Sequence, residues 1–240
     1  MSGYSKIAAH YREVIRNGDL KPGDPMPSYS AAVAEHQVNR TTVIRAYDVL
    51  KSEGLIVSQP GKGTVVASSP LVVTGADRVN RMSQNGRQYA PGETSTGHRV
   101  MRRSVYDPEV CQALQLEPGD EVVIRIRAFR QDDRATTVGV SIYPTRTVAE
   151  VPELADEGRM SGGFFGTLYT ERTGREVVRG QRTAEARQAS QDELAALEID
   201  APPHVSVAVM VTKVTYHDEQ GPLAHWEDVY APGTRLPLPE

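Results

Sequence analysis

The sequence predicts an α+β chain of two domains, and three observations carry that reading. The first 67 residues hold three helical patterns followed by a glycine-punctuated hairpin. From about residue 100 onward, apolar residues alternate at the period of a strand, interrupted by short helical runs. Between these parts lies a polar stretch rich in Gly, Asn and Gln.

Ile7, Tyr11, Val14 and Ile15 make the apolar stripe of a first helix that ends near Asn17-Gly18. Ser28 is placed to cap a second, shorter helix, where Ala31, Ala32 and Ala34 leave little side-chain bulk and let another helix approach. A third helix is bounded at about 39 and 53. Val43, Ala46, Tyr47 and Leu50 recur on one face, with Thr41, Ile44, Arg45 and Asp48 on the other. Asn39 offers a side-chain oxygen to the first unpaired N–H groups, and Gly54 follows where a left-handed residue is wanted. After Leu55-Ile56-Val57, the tip Gln59-Pro60-Gly61-Lys62-Gly63 turns tightly into a strand from Thr64 to Ala67. That order is a winged helix-turn-helix.

DNA binding asks for short donors at a helix N-terminus and for arginine where a guanine edge is read. Arg40, Thr41, Thr42 and Arg45 supply both, while Gly61 and Gly63 permit close backbone approach and Lys62 brings a phosphate-seeking charge. Arg-Thr-Thr alone is an ordinary solvated helix start, and Gly-Lys-Gly alone marks any hairpin. Their joint order and spacing point to DNA, with Ser28, Asn39, Arg40, Thr41, Thr42, Arg45, Gly61, Lys62 and Gly63 as the expected contact set.

Tyr4 to Val66 resembles the GntR family of bacterial transcription factors. The matching runs are Gly18-x-Leu20-x-Pro22-Gly23, Met26-Pro27-Ser28, Val38-x-Arg40-x-Thr42-Val43, Glu53-Gly54-Leu55-Ile56 and Gly61-x-Gly63-Thr64-x-Val66. The resemblance implies DNA contacts from Arg40, Thr41 and Thr42 on the recognition helix and from Gly61 at the wing tip. Two positions differ: Ile44 stands where the family has Arg, with Arg45 one place later, and Ser30 replaces a charged residue.

Composition excludes several classes. With 39% hydrophobic and 24% charged residues and no apolar run approaching the length of a span, no transmembrane helix is expected. The start MSGYSKIAAH lacks the form of a signal peptide, so a cytoplasmic location is expected. Residues 1–67 carry 8 Lys and Arg against 6 Asp and Glu, whereas the remainder has a net charge of −6 and is not the DNA surface. Cys111, the sole cysteine, permits no intrachain disulfide; Val110-Cys111-x-x-Leu114 suggests a buried helix position, with a redox or cross-linking role as the alternative.

Residues 68 to 98 read as a linker, with Leu71-Val72-Val73 as an entry strand and a polar run from Asn85 to Gly97. The second domain, 99–240, begins with a helix from Asp107 to Leu114. Strands follow at Val122 to Phe129 and, past a turn at Asp132-Asp133, up to Tyr143-Pro144. Helices are expected at about 147–157 and 163–173, then a strand from Glu176 to Arg187. Asp192 to Leu197 is a helix, Val205 to Tyr216 a long strand, and Leu223 to Tyr230 a closing strand. Leu114-x-Leu116 and Leu197-x-Ile199 stand in matching places, which suggests two helix–strand–strand units sharing one sheet.

Most of 75–236 resembles the UTRA ligand-binding domain of the HutC branch of that family. Its markers are Leu-x-Pro-Gly before a strand, Arg127, Tyr143-Pro144, Thr173-Gly174 and Gly221-Pro222-Leu223. The resemblance implies a chorismate-lyase-like antiparallel sheet with peripheral helices, dimerisation, and a small acidic or sugar-derived ligand held over the sheet with help from Arg127. Phe129, Gly139 and Ala224 stand where the family has a second arginine and two glutamates, so a phosphosugar is not the expected ligand.

Period-two logic places Ala224, Trp226, Asp228 and Tyr230 on one face of the closing strand, with His225 and Glu227 on the other. The effector-binding set is therefore Arg127, Phe129, Trp226, Asp228 and Tyr230. Trp226 could equally be core, and Arg127 half of a structural ion pair. The six histidines are scattered and His225-x-Glu227 lacks further ligands, so no metal site is expected, nor a cofactor or a catalytic residue.

The expected function is a homodimeric repressor that binds a pseudo-palindromic double-stranded DNA operator and is released by a small-molecule effector. One alternative is a C-terminal domain that only dimerises. Another is fusion to a pyridoxal-phosphate enzyme, for which the segment after the head is too short and its one lysine, Lys213, lies in a strand.

Overall fold

The computed structural model describes residues 3–17, 19–67, 74–75, 78–79, 82, 89, 92–131, 134–160, 163–202 and 205–234. The chain divides into two compact units. One comprises Met1–Val72 with Arg187–Val209 and Ala231–Glu240, the other Val73–Ala186 with Met210–Tyr230. The expected strand at Leu71-Val72-Val73, the turn at Asp132-Asp133 and much of the Asn85 to Gly97 run lie outside the described residues.

The first unit opens with α1 (Gly3–Asn17), α2 (Tyr29–His36) and α3 (Arg40–Ser52), then a wing of β1 (Ile56–Gln59) and β2 (Gly63–Val66). Both expected caps are made. The Ser28 hydroxyl accepts from Ala31 N–H at 3.1 Å, and Asn39 Oδ1 accepts from Thr42 N–H at 2.8 Å. The core gathers Ile7, Tyr11, Ala32, Val43, Ala46, Tyr47, Leu50, Ile56 and Val66. Tyr47 is fully buried, and its hydroxyl donates to Pro27 O at 2.7 Å, which satisfies the one polar atom the ring carries inward. Arg12 on α1 holds Glu53 with two hydrogen bonds, at 3.0 and 2.6 Å, across to the end of α3.

The wing has a third edge that periodicity does not disclose. Gly23 N–H donates to Val66 O, Val66 N–H to Asp24 O, and Met26 N–H to Thr64 O, so the Pro-Gly-Asp-Pro loop before α2 pairs with β2. Two prolines hide that segment from a strand reading, because neither can donate to a ladder.

The second unit rests on a seven-stranded sheet ordered β3-β4-β5-β9-β8-β6, with β7 also paired to β8. The strands are β3 (Glu93–Ser104), β4 (Glu121–Gln131), β5 (Arg134–Pro144), β6 (Val178–Arg179), β7 (Thr183–Gln188), β8 (Ala208–Asp218) and β9 (Gly221–Tyr230). Helix α4 (Pro108–Leu114) precedes β4, and α5 (Thr145–Glu150) and α6 (Phe165–Thr173) lie between β5 and β6. Helix α7 (Gln191–Ala196), which falls in the first unit, precedes β8. Cys111 is buried on α4 beside Val110 and Leu114, as its spacing suggested.

Several expectations are corrected here. β3 begins at Glu93, inside the stretch read as linker; its polar side chains conceal it because most of them face solvent. The helix expected over 147–157 stops at Glu150 and resumes as a 3-10 turn, Pro152–Ala155, because Pro152 has no N–H to continue the α-helical ladder. The single strand expected from Glu176 to Arg187 is two short ones. At Gly180 the backbone N–H donates to Thr215 O at 2.8 Å, and a Cβ there would stand 2.8 Å from that same oxygen.

The duplication is present and longer than read from sequence. Each repeat is strand–helix–strand–strand, β3-α4-β4-β5 and β7-α7-β8-β9, and the repeats meet where β5 pairs antiparallel with β9. The two matching tripeptides end their helices alike. Gln115 and Glu198 are left-handed at φ 54° and 57°, and Leu116 and Ile199 each donate back to the helix, to Cys111 O and Leu194 O, at 2.9 Å.

Two predictions follow from this packing. Gly54 has φ +69°, and a Cβ there would stand 2.0 Å from Pro232 O within the first unit. Gly54→Ala is expected to lower stability by about 2 kcal/mol or more, read as a drop in Tm. In the second unit, the buried Asp218 carboxylate accepts from Arg146 and Tyr169, each at 2.7 Å, and from Gln220 N–H at 2.9 Å. Burial pushes its pKa up, but these donors outweigh burial and hold it below the usual carboxylate value. Its stabilisation is thus complete above the unfolded value of about 4 and is lost as pH falls through the lower folded value. Asp218→Asn should cost about 2 kcal/mol at pH 7 in urea unfolding, and the gap to wild type should shrink below about pH 4.

Candidate functional site

The exposed face of α3 is the complement of its buried one. Because Val43, Ala46, Tyr47 and Leu50 are drawn into the core, Arg40, Thr41 and Arg45 are left exposed, and Thr42, Ile44 and Asp48 half-buried. Thr42 is partly committed to structure, since its hydroxyl donates to Asn39 Oδ1 at 2.7 Å as well as its N–H. Arg40 lies 5.8 Å from the Tyr29 ring centroid, a contact that orients the guanidinium beside α2. Ile44, the departure from the family pattern, sits between Arg40 and Arg45 on the presented face and offers an apolar contact in place of a cation.

At the wing tip Gly61, Lys62 and Gly63 are all exposed, and Lys62 N–H closes the turn on Gln59 O at 3.1 Å. Gly61 and Gly63 adopt φ +76° and +80°, which an L side chain enters only with strain, so the turn that projects Lys62 depends on both glycines. Ser28 and Asn39, by contrast, spend their side chains on helix caps.

The second unit contains a cavity of about 700 Å³, including its open mouth. Its floor is the face of β4 that carries Arg125, Arg127 and Phe129, with Tyr143 from β5 and Trp226 from β9. Gly75, Arg78, Val79 and Met82, helical residues at i, i+3, i+4 and i+7 spacing, form one wall. Tyr89, His98, Arg159, Met160, Gly163, Phe164 and Phe165 supply the remainder.

Of the expected effector set, the fold brings Arg127, Phe129 and Trp226 together around this cavity. Asp228 is placed beside it, lining a smaller cavity, and its Oδ2 accepts from Gly75 N–H at 2.8 Å. Tyr230 keeps the strand face that period two gives it, its hydroxyl 3.5 Å from Asp228 Oδ2, but it does not join the cavity lining. It is fully buried with its hydroxyl 3.0 Å from Thr212 Oγ1, and it lines neither cavity, because the strand carries it past the rim into the core. Gly139 explains two departures at once. A Cβ there would stand 2.9 Å from the Phe129 ring and 3.5 Å from Arg127 Cζ, so Phe129 and a side chain at 139 exclude each other.

Four arginines line the cavity, and they differ in what they spend. Arg125 is consumed by backbone. Its Nη1 donates to Leu154 O and Asp156 O at 2.8 and 2.9 Å, and its Nη2 to Gly158 O at 2.7 Å, which fixes the turn that carries Arg159. Arg78 is paired with buried Glu93, Nε to Oε1 2.8 Å, with its guanidinium 3.4 Å from the Phe129 ring centroid; its Nη1 is buried without a hydrogen-bond partner among the described residues. Arg127 donates to Ser141 Oγ at 2.8 Å and lies between Phe129 and Trp226, 5.3 and 5.7 Å from their ring centroids. Arg159 lies 4.8 Å from the ring centroid of Tyr89. Neither Arg127 nor Arg159 has a carboxylate beside it in the cavity wall among the described residues.

His98, hydrogen-bonded to Ser95 Oγ at 2.8 Å, is held below the usual imidazole pKa by burial and then by Arg127, Arg125 and Arg159. It therefore adds a neutral donor–acceptor rather than a further cation at pH 7. The cavity is thus positive and aromatic, and its chemistry suits a small anion with an apolar body.

Sequence reasoning missed Arg125 although it shares the β4 face with Arg127; the period-two signal was there to use. Arg78, His98 and Arg159 come from separate elements and carried no local signal. The histidines, dispersed in sequence, are not all dispersed in space. His10, Glu35 and His36 place one ligand atom each within 4.8 Å of one another, where side chains of α1 meet those of the last turn of α2.

Comparison with known proteins agrees with both halves. Residues 3–66 match the bacterial regulatory proteins of the gntR family, and residues 92–236 match the UTRA domain. The chain is 30% identical over 223 residues to the uncharacterized HTH-type transcriptional regulator RB1450 of Rhizobium meliloti, covering 91% of this chain and 86% of that one. It is 31% identical over 155 residues to the mannosyl-D-glycerate transport/metabolism system repressor MngR of Escherichia coli, covering 60% of this chain and 61% of that protein. The fold is similar to the crystal structure of YydK from Bacillus subtilis, with a TM-score of 0.50 and 16% identity over the whole of both chains. No described helix is long and apolar enough to cross a membrane. With a capped recognition helix, a glycine-built wing and a sheet domain each in place, the chain belongs to the GntR family of bacterial regulatory proteins, as a DNA-binding transcriptional regulator with a C-terminal UTRA domain.

Proposed function

We propose that this regulator is a cytoplasmic, homodimeric repressor, released from a pseudo-palindromic operator when a small anion with an aromatic or other apolar body enters the cavity of the UTRA domain. The observation that carries the effector reading is the pair Arg127 and Arg159, set among Phe129, Trp226 and Tyr89 without a carboxylate in the cavity wall among the described residues. Arg127 is half-buried and Arg159 exposed, so both guanidinium groups remain available to an anion, and a ligand supplies the counter-charge that the cavity wall withholds. The name of MngR, a repressor, favours repression over activation. The cavity binds rather than catalyses in this reading, and the relatives named as regulators support it.

On DNA, Arg40, Thr41, Thr42 and Arg45 enter the major groove, with Ser28 and Asn39 near the phosphates at the helix entries and Gly61, Lys62 and Gly63 along the adjacent minor groove. Two copies place two such heads one helical turn apart, so operator symmetry mirrors protein symmetry. Effector binding biases the dimer toward a placement in which both heads no longer dock. A shift from 99:1 to 1:99 needs about 5.5 kcal/mol of differential binding, which two ligand sites share.

Two experiments test these assignments. With a DNA fragment from the regulator's own promoter region, Arg40→Ala and Arg45→Ala should each weaken specific binding about tenfold or more with unchanged Tm. Lys62→Ala should weaken binding to all sequences and lower the salt slope by about 1. Absence of a specific, salt-sensitive shift for the wild type would sink the DNA assignment. For the cavity, a panel of aromatic carboxylates and phosphate esters should contain compounds that raise the wild-type Tm and weaken operator binding. The Arg127→Ala, Arg159→Ala double variant should lose that response, and a panel without any hit would favour a domain that only dimerises.

A further inference from the structure

The first unit carries a side-chain cluster that neither DNA binding nor the effector cavity uses. His10 stands on α1, and Glu35 and His36 form the last turn of α2, where Gln37 turns the chain away in the left-handed conformation at φ 53°. His10 Nε2 is 3.5 Å and His36 Nε2 3.8 Å from the same oxygen, Glu35 Oε1. The two imidazole rings meet edge to face with centroids 5.1 Å apart. His36 Nε2 is buried and has no hydrogen-bond partner among the described residues.

We propose that His10, Glu35 and His36 bind one divalent transition-metal ion of the zinc type on the DNA-binding head. Two imidazole nitrogens and one carboxylate oxygen suit Zn²⁺, whereas Ca²⁺ and Mg²⁺ favour all-oxygen sets. Tetrahedral zinc with bonds of 2.0–2.1 Å sets its ligand atoms about 3.4 Å apart. The two separations to Glu35 Oε1 are already near that length, and His10 and Glu35, with side chains 47% and 46% exposed, are free to rotate through the remainder. His36, with 17% of its side chain exposed, is the fixed member.

The surroundings support ligation in a further respect. The Tyr11 hydroxyl donates to Glu35 Oε2 at 2.9 Å, leaving Oε1 turned toward the histidines. Such an outer hydrogen bond orients a ligating carboxylate. With three protein ligands, a fourth position is left for water, on the exposed side of His10. The ion would bridge α1 to the end of α2, three residues before the Asn39 cap that opens the recognition helix.

The test is a Zn²⁺ titration of the full chain, freed of any purification tag, followed by calorimetry, with Co²⁺ as the absorbing substitute. One ion per chain is expected, with a rise in Tm and a Co²⁺ d–d spectrum of a low-coordinate site. His10→Ala and Glu35→Ala, both at exposed positions, should each weaken binding by about 100-fold or more, and Tyr11→Phe by about tenfold. His217→Asn, a histidine of the other unit, should leave the titration unchanged. The assignment is overturned if the wild type binds no Zn²⁺ at tens of micromolar, or if the His10→Ala, Glu35→Ala double variant, with its circular dichroism intact, binds as wild type does. A loss of binding confined to His217→Asn would overturn it equally.

Discussion

The cost of taking a guanidinium out of water organises the second unit. Four arginines approach one cavity from three parts of the chain, two of them from β4, and each is neutralised, hydrogen-bonded or left for something else to neutralise. Arg125 is satisfied by backbone carbonyls, and in satisfying it the turn from Pro152 to Gly158 is shaped. Arg78 is paired with Glu93, which ties a helical wall residue to the first sheet strand. Arg127 and Arg159 remain over aromatic rings. The cavity is therefore a remainder of charge, placed where the sheet can support it and the protein does not cancel it.

The first unit obeys a different constraint, that of an amphipathic helix whose two faces serve two partners. Burial of Val43, Ala46, Tyr47 and Leu50 fixes the rotation of α3 about its axis, and that rotation decides which side chains are presented. The helix is held at both ends, by the Asn39 cap and by Arg12 on Glu53. The wing is anchored through its pairing with the 23–26 segment, so Lys62 projects from a supported hairpin. Rigidity of the support is what allows exposed residues to serve as recognition elements.

Much of this was legible along the chain, and the legible parts share a property: their signal is local. Caps, helix faces and turn glycines lie within a few residues of what they determine, so Ser28, Asn39, Gly54, Gly61 and Gly63 could be read in place. The duplication was also readable, from two tripeptides with the same left-handed helix ending. The misreadings arise where a distant partner overrides local pattern. β3 is polar because its outward residues face solvent, Gly180 interrupts a strand because Thr215 O lies against it, and Tyr230 is buried in the core with its hydroxyl 3.0 Å from Thr212 Oγ1.

By itself, then, the sequence determined the winged head, the antiparallel α+β domain and the DNA-binding class, since periodicity and capping chemistry are properties of neighbouring residues. Only the tertiary structure decided which charges are spent. Arg127 could have been half of an ion pair, and Trp226 could have been core; the fold places both at a cavity where Arg125 and Arg78 are already engaged and Arg159 is not. It likewise gathered His10, Glu35 and His36 from two helices. Desolvation and convergence are properties of three-dimensional surroundings, and no spacing along the chain encodes them.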